Sequence, residues 1–397
     1  MRKCILLIIL FLLNFIPFNV FASELVPNGE SSILIEATTG KIIFEKNIDK
    51  KLSIASMTKM VAQIIILEEV ENNKIKWDDV VTVSRNASGM GGSQIYLEEG
   101  EKMTVRDLMK GISVASANDA TVALAEYISG TEEKFVKRMN DKVKELGLKN
   151  TNFMNCTGLD EDNHYSTAYD MAMIARDLVL NHKEIFTFSS IYEDYLRENT
   201  KNKFWLVNTN KLINFYDGAD GLKTGHTDQA GYCLATTAKR NNLRLIGVIL
   251  GEKNSKVRNN EMVDLLDYGF NNIKSEVIKK KGEVLTKKII YHGDKKYLNI
   301  GVKDDLVFYY DKDNDNKYKF NYSYNDIYLP IKKGSIIGKV NVYYEDILVN
   351  TSDLIALDDI NKVSFFKLCK DSFIDLIFGN LWLLSYWIII YDMLYYF

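Results

Sequence analysis

Residues 220–251 read DGLKTGHTDQAGYCLATTAKRNNLRLIGVILG, and this stretch decides the fold. It holds three β-rich runs, around Asp220–Gly225, Gly231–Lys239 and Leu243–Gly251, parted by the turn sequences Asp228-Gln229-Ala230 and Asn241-Asn242. Connections this short join antiparallel neighbours. Toward the N-terminus a second β-rich pair, SILIEATTGKIIFEK at residues 32–46, reads as a hairpin around Thr38-Thr39-Gly40. Between the two sets the pattern is helical. Apolar residues at Met57, Met60, Val61, Ile64, Ile65 and Leu67 mark a helix from Ser56 to Glu71, and a second runs from about Asn118 to Ile128, stopping at Gly130. Thr104 with Asp107, and Thr167 with Asp170, have the spacing of capping-box starts. A helix around Met262–Phe270 closes the set. The expected fold class is α+β, an antiparallel sheet flanked by helices.

Outward from this region the chain changes character twice. Beyond Lys274 short alternating strands with Lys, Asp and Gly turns continue to about Ile360, as expected of a small all-β domain. Its run Asp311-Lys312-Asp313-Asn314-Asp315-Asn316 imitates a calcium loop. It lacks that loop's glycine at the sixth position and its glutamate at the twelfth, where Asn316 and Tyr322 stand, so it reads as a hairpin turn. Residues 361–397 form an apolar segment with Lys362, Lys367 and Lys370 at its front and Trp382, Trp387 and several Tyr behind. Asp375 and Asp392 shorten its charge-free run, and a span would put those lysines on the outer side. An interfacial anchor therefore fits better than a spanning helix. At the other end Arg2 and Lys3 precede an apolar run, and Val20-Phe21-Ala22 offers a cleavage site, so residues 1–22 are expected to be an export signal. The expected domains are then 1–22, 23–273, 274–360 and 361–397.

Composition narrows the function classes. The chain has 397 residues, 50 Lys+Arg against 53 Asp+Glu, a net charge of -3 and 47% hydrophobic residues, which is enough for a full core and gives no basic footprint for nucleic acid. The 4 Cys and 4 His are scattered, with no disulfide framework and no metal-ligand spacing, so neither a metal nor a cofactor is expected.

Three short motifs carry chemistry. Ser56-Met57-Thr58-Lys59 at a helix start sets a hydroxyl and an amine three residues apart on one face. A serine is a poor nucleophile without a base, and a lysine serves as one only when burial or a neighbouring cation makes it neutral. Ser116-Ala117-Asn118 stands between two expected helices, where a hydroxyl can relay a proton and an amide can bind a peptide group. Lys223-Thr224-Gly225 lies on an expected strand, offering a cation, a hydroxyl and a glycine that lets a substrate backbone approach. Each alone reads as a helix start, an N-cap or a strand end; the ordered trio is far more specific.

Together they resemble the signature of the penicillin-binding proteins and serine β-lactamases. Within that group the chain is most similar to the low-molecular-mass D-alanyl-D-alanine carboxypeptidases, through Ile54-Ala55-Ser56-Met57-Thr58-Lys59-Met60, Ser116-Ala117-Asn118-Asp119-Ala120, Asp220 to Thr227 with Ala230-Gly231-Tyr232, and His164 to Asp170. The resemblance covers about Ser31 to Gly269 and, less specifically, the β-rich domain. It implies that Ser56 is acylated by a peptidoglycan stem peptide ending in D-Ala-D-Ala, with release of the last D-alanine and then hydrolysis. Lys59 would be the base and Ser116 the proton relay. Asn118 would hold the substrate amide, and Lys223 would favour a neutral Lys59 or a Ser56 alkoxide. The backbone amides of Ser56 and His226 would form the oxyanion hole, beside Gly225, and Thr224 with Arg244 would receive the terminal carboxylate. β-Lactam antibiotics are implied as covalent inhibitors, and the enzyme would work on the outer face of the bacterial cytoplasmic membrane. A transpeptidase or endopeptidase shares the acylation step. A class A β-lactamase would need a Glu-positioned water, yet no E-x-x-L-N run follows the middle motif and Ala117 stands where such enzymes carry Asp. His164 reads as a loop hydrogen-bonder.

Overall fold

The structure, a computed structural model, describes residues 25–291, 293–311, 318–344 and 347–363. The expected export signal, the turn at 312–316 and nearly all of the expected anchor lie outside the described residues.

The described residues form two compact units, divided between Asn272 and Ile273. In the first, strands β1 (Ser31–Glu36) and β2 (Ile42–Lys46) make the expected N-terminal hairpin. Strands β3 (Ala219–Thr227), β4 (Gly231–Arg240) and β5 (Leu243–Glu252) return as a meander. β1 pairs antiparallel with β5, so the sheet order is β2-β1-β5-β4-β3 and β3 is an edge. That edge carries Lys223-Thr224-Gly225.

Helix α1 (Lys59–Glu71) continues a single 3₁₀ turn at Ala55–Thr58 and is buried almost all round, from Lys59 through Leu67. The one polar side chain in its middle, Gln63, is satisfied by donating to Ser113 Oγ at 2.8 Å. Around it lie α2 (Asn118–Ser129), α3 (Glu132–Glu145) and α4 (Ala168–Asn181). The two threonine caps hold as expected: Thr104 Oγ1 and Thr167 Oγ1 accept from the amides of Asp107 and Asp170. Helix α3, which the sequence reading passed over, is capped in the same way by Thr131. Helix α5 (Ser255–Asn272) begins seven residues before its expected start at Met262.

The second unit holds a five-stranded antiparallel sheet in the order Val284–Ile289, Tyr297–Val302, Ile347–Ala356, Ile336–Tyr344, Tyr318–Tyr324. Beside it lies a two-stranded pair, Ile273–Lys279 with Leu306–Asp311. It has its own apolar core, including Leu298, Ile300, Val340, Val342 and Leu354. The expected all-β reading of this region holds. Among the described residues no helix is long and apolar enough to cross a membrane.

Candidate active site

The site is built around the 3₁₀ turn. Ala55, immediately before Ser56, has φ 47°, a left-handed conformation strained for a residue with a Cβ. Three groups hold the strain in place. Thr58 Oγ1 donates to the Ala55 carbonyl at 2.8 Å and meets His164 Nε2 at 2.8 Å. His164 Nδ1 accepts from the Met154 amide, so its proton is on Nε2 and the ring is neutral; burial lowers its pKa to about 4. His164 is thus the expected hydrogen-bonder, and its bond supports the nucleophile's turn. The third support is steric. A Cβ on Gly225 would stand 2.5 Å from the Ile54 carbonyl oxygen, and one on Gly158 1.9 Å from that of Ala55. Strand β3 and the 157–158 loop press on the turn so closely that only glycine fits.

Lys59 is fully buried and makes three contacts through Nζ: Ser56 Oγ at 2.8 Å, Asn118 Oδ1 at 2.6 Å and the Thr157 carbonyl at 2.7 Å. Two of these partners are carbonyl-type oxygens that only accept, so they take two N–H groups. The third direction, toward Ser56, is open to the lone pair of a neutral amine. Burial lowers the Lys59 pKa to about 7, opposed electrostatically by the neighbouring Cys156 and Asp119.

The other motif residues gather here with two differences from expectation. Ser116 sits at φ 63°, and its Oγ is buried without a hydrogen bond to any described group. Asn118 is committed to structure: besides holding Lys59, its Nδ2 donates to the Gly91 carbonyl at 2.7 Å, which leaves one amide proton rather than a free amide for a substrate. Lys223 is buried on β3, donating to the Thr224 carbonyl. Its pKa is pushed well down by burial first, then by the charges of Lys59 and Arg258. Burial is thus the first cause of the lowered pKa of both lysines, and the repulsion between them acts on the pair. Thr224 Oγ1 donates to Thr209 Oγ1 at 2.8 Å. His226 is exposed and lies against the Tyr232 ring at 4.0 Å between centroids.

Arg244 is the expectation that fails. Its guanidinium is bound bidentately to Asp220 at 2.8 and 2.7 Å, donates to Thr237 Oγ1, and covers the Phe186 ring. Register explains why it cannot reach the site. Thr224 pairs with Leu234 and Leu234 with Ile249, so Arg244 lies five residues along β5 from that level, about 17 Å away. The cation near the motif is Arg258, buried in the first turn of α5, with Nη1 donating to the Cys233 carbonyl beside Gly225 and its charge felt by Lys223. Burial lowers its pKa to about 10, so it stays charged at neutral pH. The sequence offered no signal for it, because the expected helix begins at Met262, four residues beyond Arg258. Thr157, a backbone ligand of Lys59, gave no side-chain signal at all.

The chain also matches known proteins. The model of the D-alanyl-D-alanine carboxypeptidase family matches residues 21–254, and that of the penicillin-binding protein 5 C-terminal domain matches residues 274–362. The chain is 44% identical to the D-alanyl-D-alanine carboxypeptidase DacF of Bacillus subtilis, over 92% of this chain and 96% of that one. Among solved structures it resembles penicillin-binding protein 5 of Haemophilus influenzae (33% identity, TM-score 0.66, 84% of this chain and 98% of that). It also resembles penicillin-binding protein D2 of Listeria monocytogenes in its ampicillin-bound form (31% identity, TM-score 0.55, 61% of this chain and 97% of that).

Proposed function

We propose the following mechanism from a plain premise: the chain belongs to the D-alanyl-D-alanine carboxypeptidase family. It is a serine-type hydrolase that removes the terminal D-alanine from peptidoglycan stem peptides. The observation that carries the mechanism is the three-way bonding of Lys59, which aims a lone pair at Ser56 Oγ.

The substrate's terminal carboxylate enters between Lys223, Thr224 and Arg258. Its charge raises the pKa of Lys223, and a protonated Lys223 in turn keeps Lys59 neutral. Lys59 Nζ takes the Ser56 proton as Oγ attacks the carbonyl carbon of the penultimate D-alanine. The backbone amides of Ser56 and His226 receive the oxyanion, in a role where a single donor is worth about 3–4 kcal/mol. The proton passes through Ser116 Oγ to the departing amine, D-alanine leaves, and an acyl-enzyme on Ser56 remains. Water attacks this ester with Lys59 again as base and frees the peptide.

β-Lactams acylate Ser56 by the same first half, as suits a relative whose structure holds ampicillin. The enzyme is exported and held on the outer face of the bacterial cytoplasmic membrane, residues 1–22 being the signal and 361–397 the anchor; the apolar, Trp- and Tyr-rich composition of the tail supports this.

Labelled penicillin and a D-Ala-D-Ala peptide test the reading together. The expected result is one adduct on Ser56 and free D-alanine, both lost in Ser56→Ala. Alanine release only with an added amine acceptor would mean transpeptidation, and labelling of Ser56→Ala would mean a different nucleophile.

A further inference from the structure

The most exposed large hydrophobic side chains among the described residues are in the second unit. Tyr291 and Tyr328 are each 77% exposed, with Ile289 at 45%. They are one feature, since all three line a single cavity of about 490 Å³ together with Lys288 and Lys362. The one acidic side chain in its lining is Asp326. Two tyrosines standing in water beside two lysines are an unfavourable use of surface unless something covers them.

The path of the chain says what does. Residues 360–362 are strapped to this edge: Ile360 pairs with Ile331, Lys362 bridges to Gly293, and Asp294 exchanges hydrogen bonds with Asn361 through its amide and its carboxylate. The last described residues before the bulk of the apolar tail therefore lie at the rim of the same cavity that displays Tyr291 and Tyr328.

We propose that the edge formed by Ile289, Tyr291 and Tyr328, with Lys288 and Lys362, rests directly on an anionic bilayer surface. This rests on the reading of residues 361–397 as the anchor. A tail that enters the interface at its first residues brings Lys362 to headgroup level. The side chains sharing its cavity then lie within about a Debye length, ~8 Å, of the lipid charge. Tyrosine is suited to that depth, with an apolar ring and a polar tip, and lysine is drawn to the negative lipid. The folded unit thus adds a second contact to that of the tail and fixes the orientation of its own sheet on the membrane.

The experiment uses the full chain on vesicles of phosphatidylglycerol and phosphatidylcholine, and on phosphatidylcholine alone. A nitroxide is attached at Tyr328→Cys or, as control, at Leu348→Cys, in a Cys369→Ser background. Leu348 pairs with Tyr343 and Tyr328 lines the cavity near Asn325, so the two report different ends of the sheet. Vesicle binding should shield position 328, but not 348, from a water-soluble nickel chelate. Lys288→Glu with Lys362→Glu should weaken binding to the anionic vesicles by about 30-fold or more, with little change on the neutral ones and none in penicillin labelling. If the protein binds vesicles with position 328 as open to the chelate as 348, the proposal is wrong and the anchor stands. If it binds no vesicles, both fall. Concentration-dependent broadening of the 328 signal without lipid would instead identify a second copy of the chain as the occupant, and would overturn the proposal.

Discussion

At the scale of single residues, catalysis depends on where the proton of Lys59 sits. Because burial sets the Lys59 pKa at about 7, the fraction of free enzyme with a usable base rises through neutrality. Second-order acylation by penicillin should climb about tenfold per pH unit below pH 7 and level off above it, since this rate constant reports free-enzyme ionisation. A profile flat from pH 5 to 8 would remove Lys59 as the base. The carboxylate subsite gives a second check through a pair of arginines. Arg258→Ala should raise KM for the peptide and lower kcat/KM by about 10²-fold, the scale of a lost charged hydrogen bond in a buried site. Arg244→Ala should instead act on stability, because its charge is already met by Asp220. The reverse pattern would restore Arg244 to the site.

At the scale of elements, the end of β5 meets α5 through a pair of acids. Glu252 and Glu261 are buried, and both Glu252 oxygens and one of Glu261 lack a hydrogen-bond donor, while the other Glu261 oxygen accepts from the Asn28 amide and side chain. A proton shared between the two carboxyls would supply a missing donor. Burial, then the neighbouring Glu261, raises the Glu252 pKa to about 8. A carboxyl raised in this way binds its proton more tightly folded than unfolded. Its contribution is therefore complete below the ordinary carboxyl range near 4.5 and is lost as the pH climbs toward about 8. Denaturant unfolding from pH 5 to 8.5 should show the wild type losing on the order of a few kcal/mol more than Glu252→Gln, whose amide can still donate to Glu261. Parallel losses in the two proteins would refute the shared proton.

At the scale of the molecule, the two units have separate cores, and every residue of the proposed mechanism belongs to the first. The Listeria relative holds ampicillin though 61% of this chain already matches 97% of its length. A chain ending at Asn272 should accordingly be acylated by penicillin at a rate within about threefold of the full protein, while losing vesicle binding. Loss of acylation in a chain that still unfolds cooperatively would show that the second unit supports the site.

What the sequence determined by itself was the local and the chemical. Alternation and turn residues marked the strands, threonine caps marked helix starts, and the spacing of Ser56 and Lys59 brought hydroxyl and amine together, because one helical turn is enough to do so. Tertiary structure alone decided the rest. It set Arg258 rather than Arg244 beside strand β3 at Gly225, since strand register puts Arg244 five residues along β5 from the level of Thr224. It also spent Asn118 on Lys59 and enlisted the Thr157 carbonyl. Those choices depend on which distant segments meet, and a backbone oxygen or a buried charge acquires its role only from neighbours that the chain's local pattern does not encode.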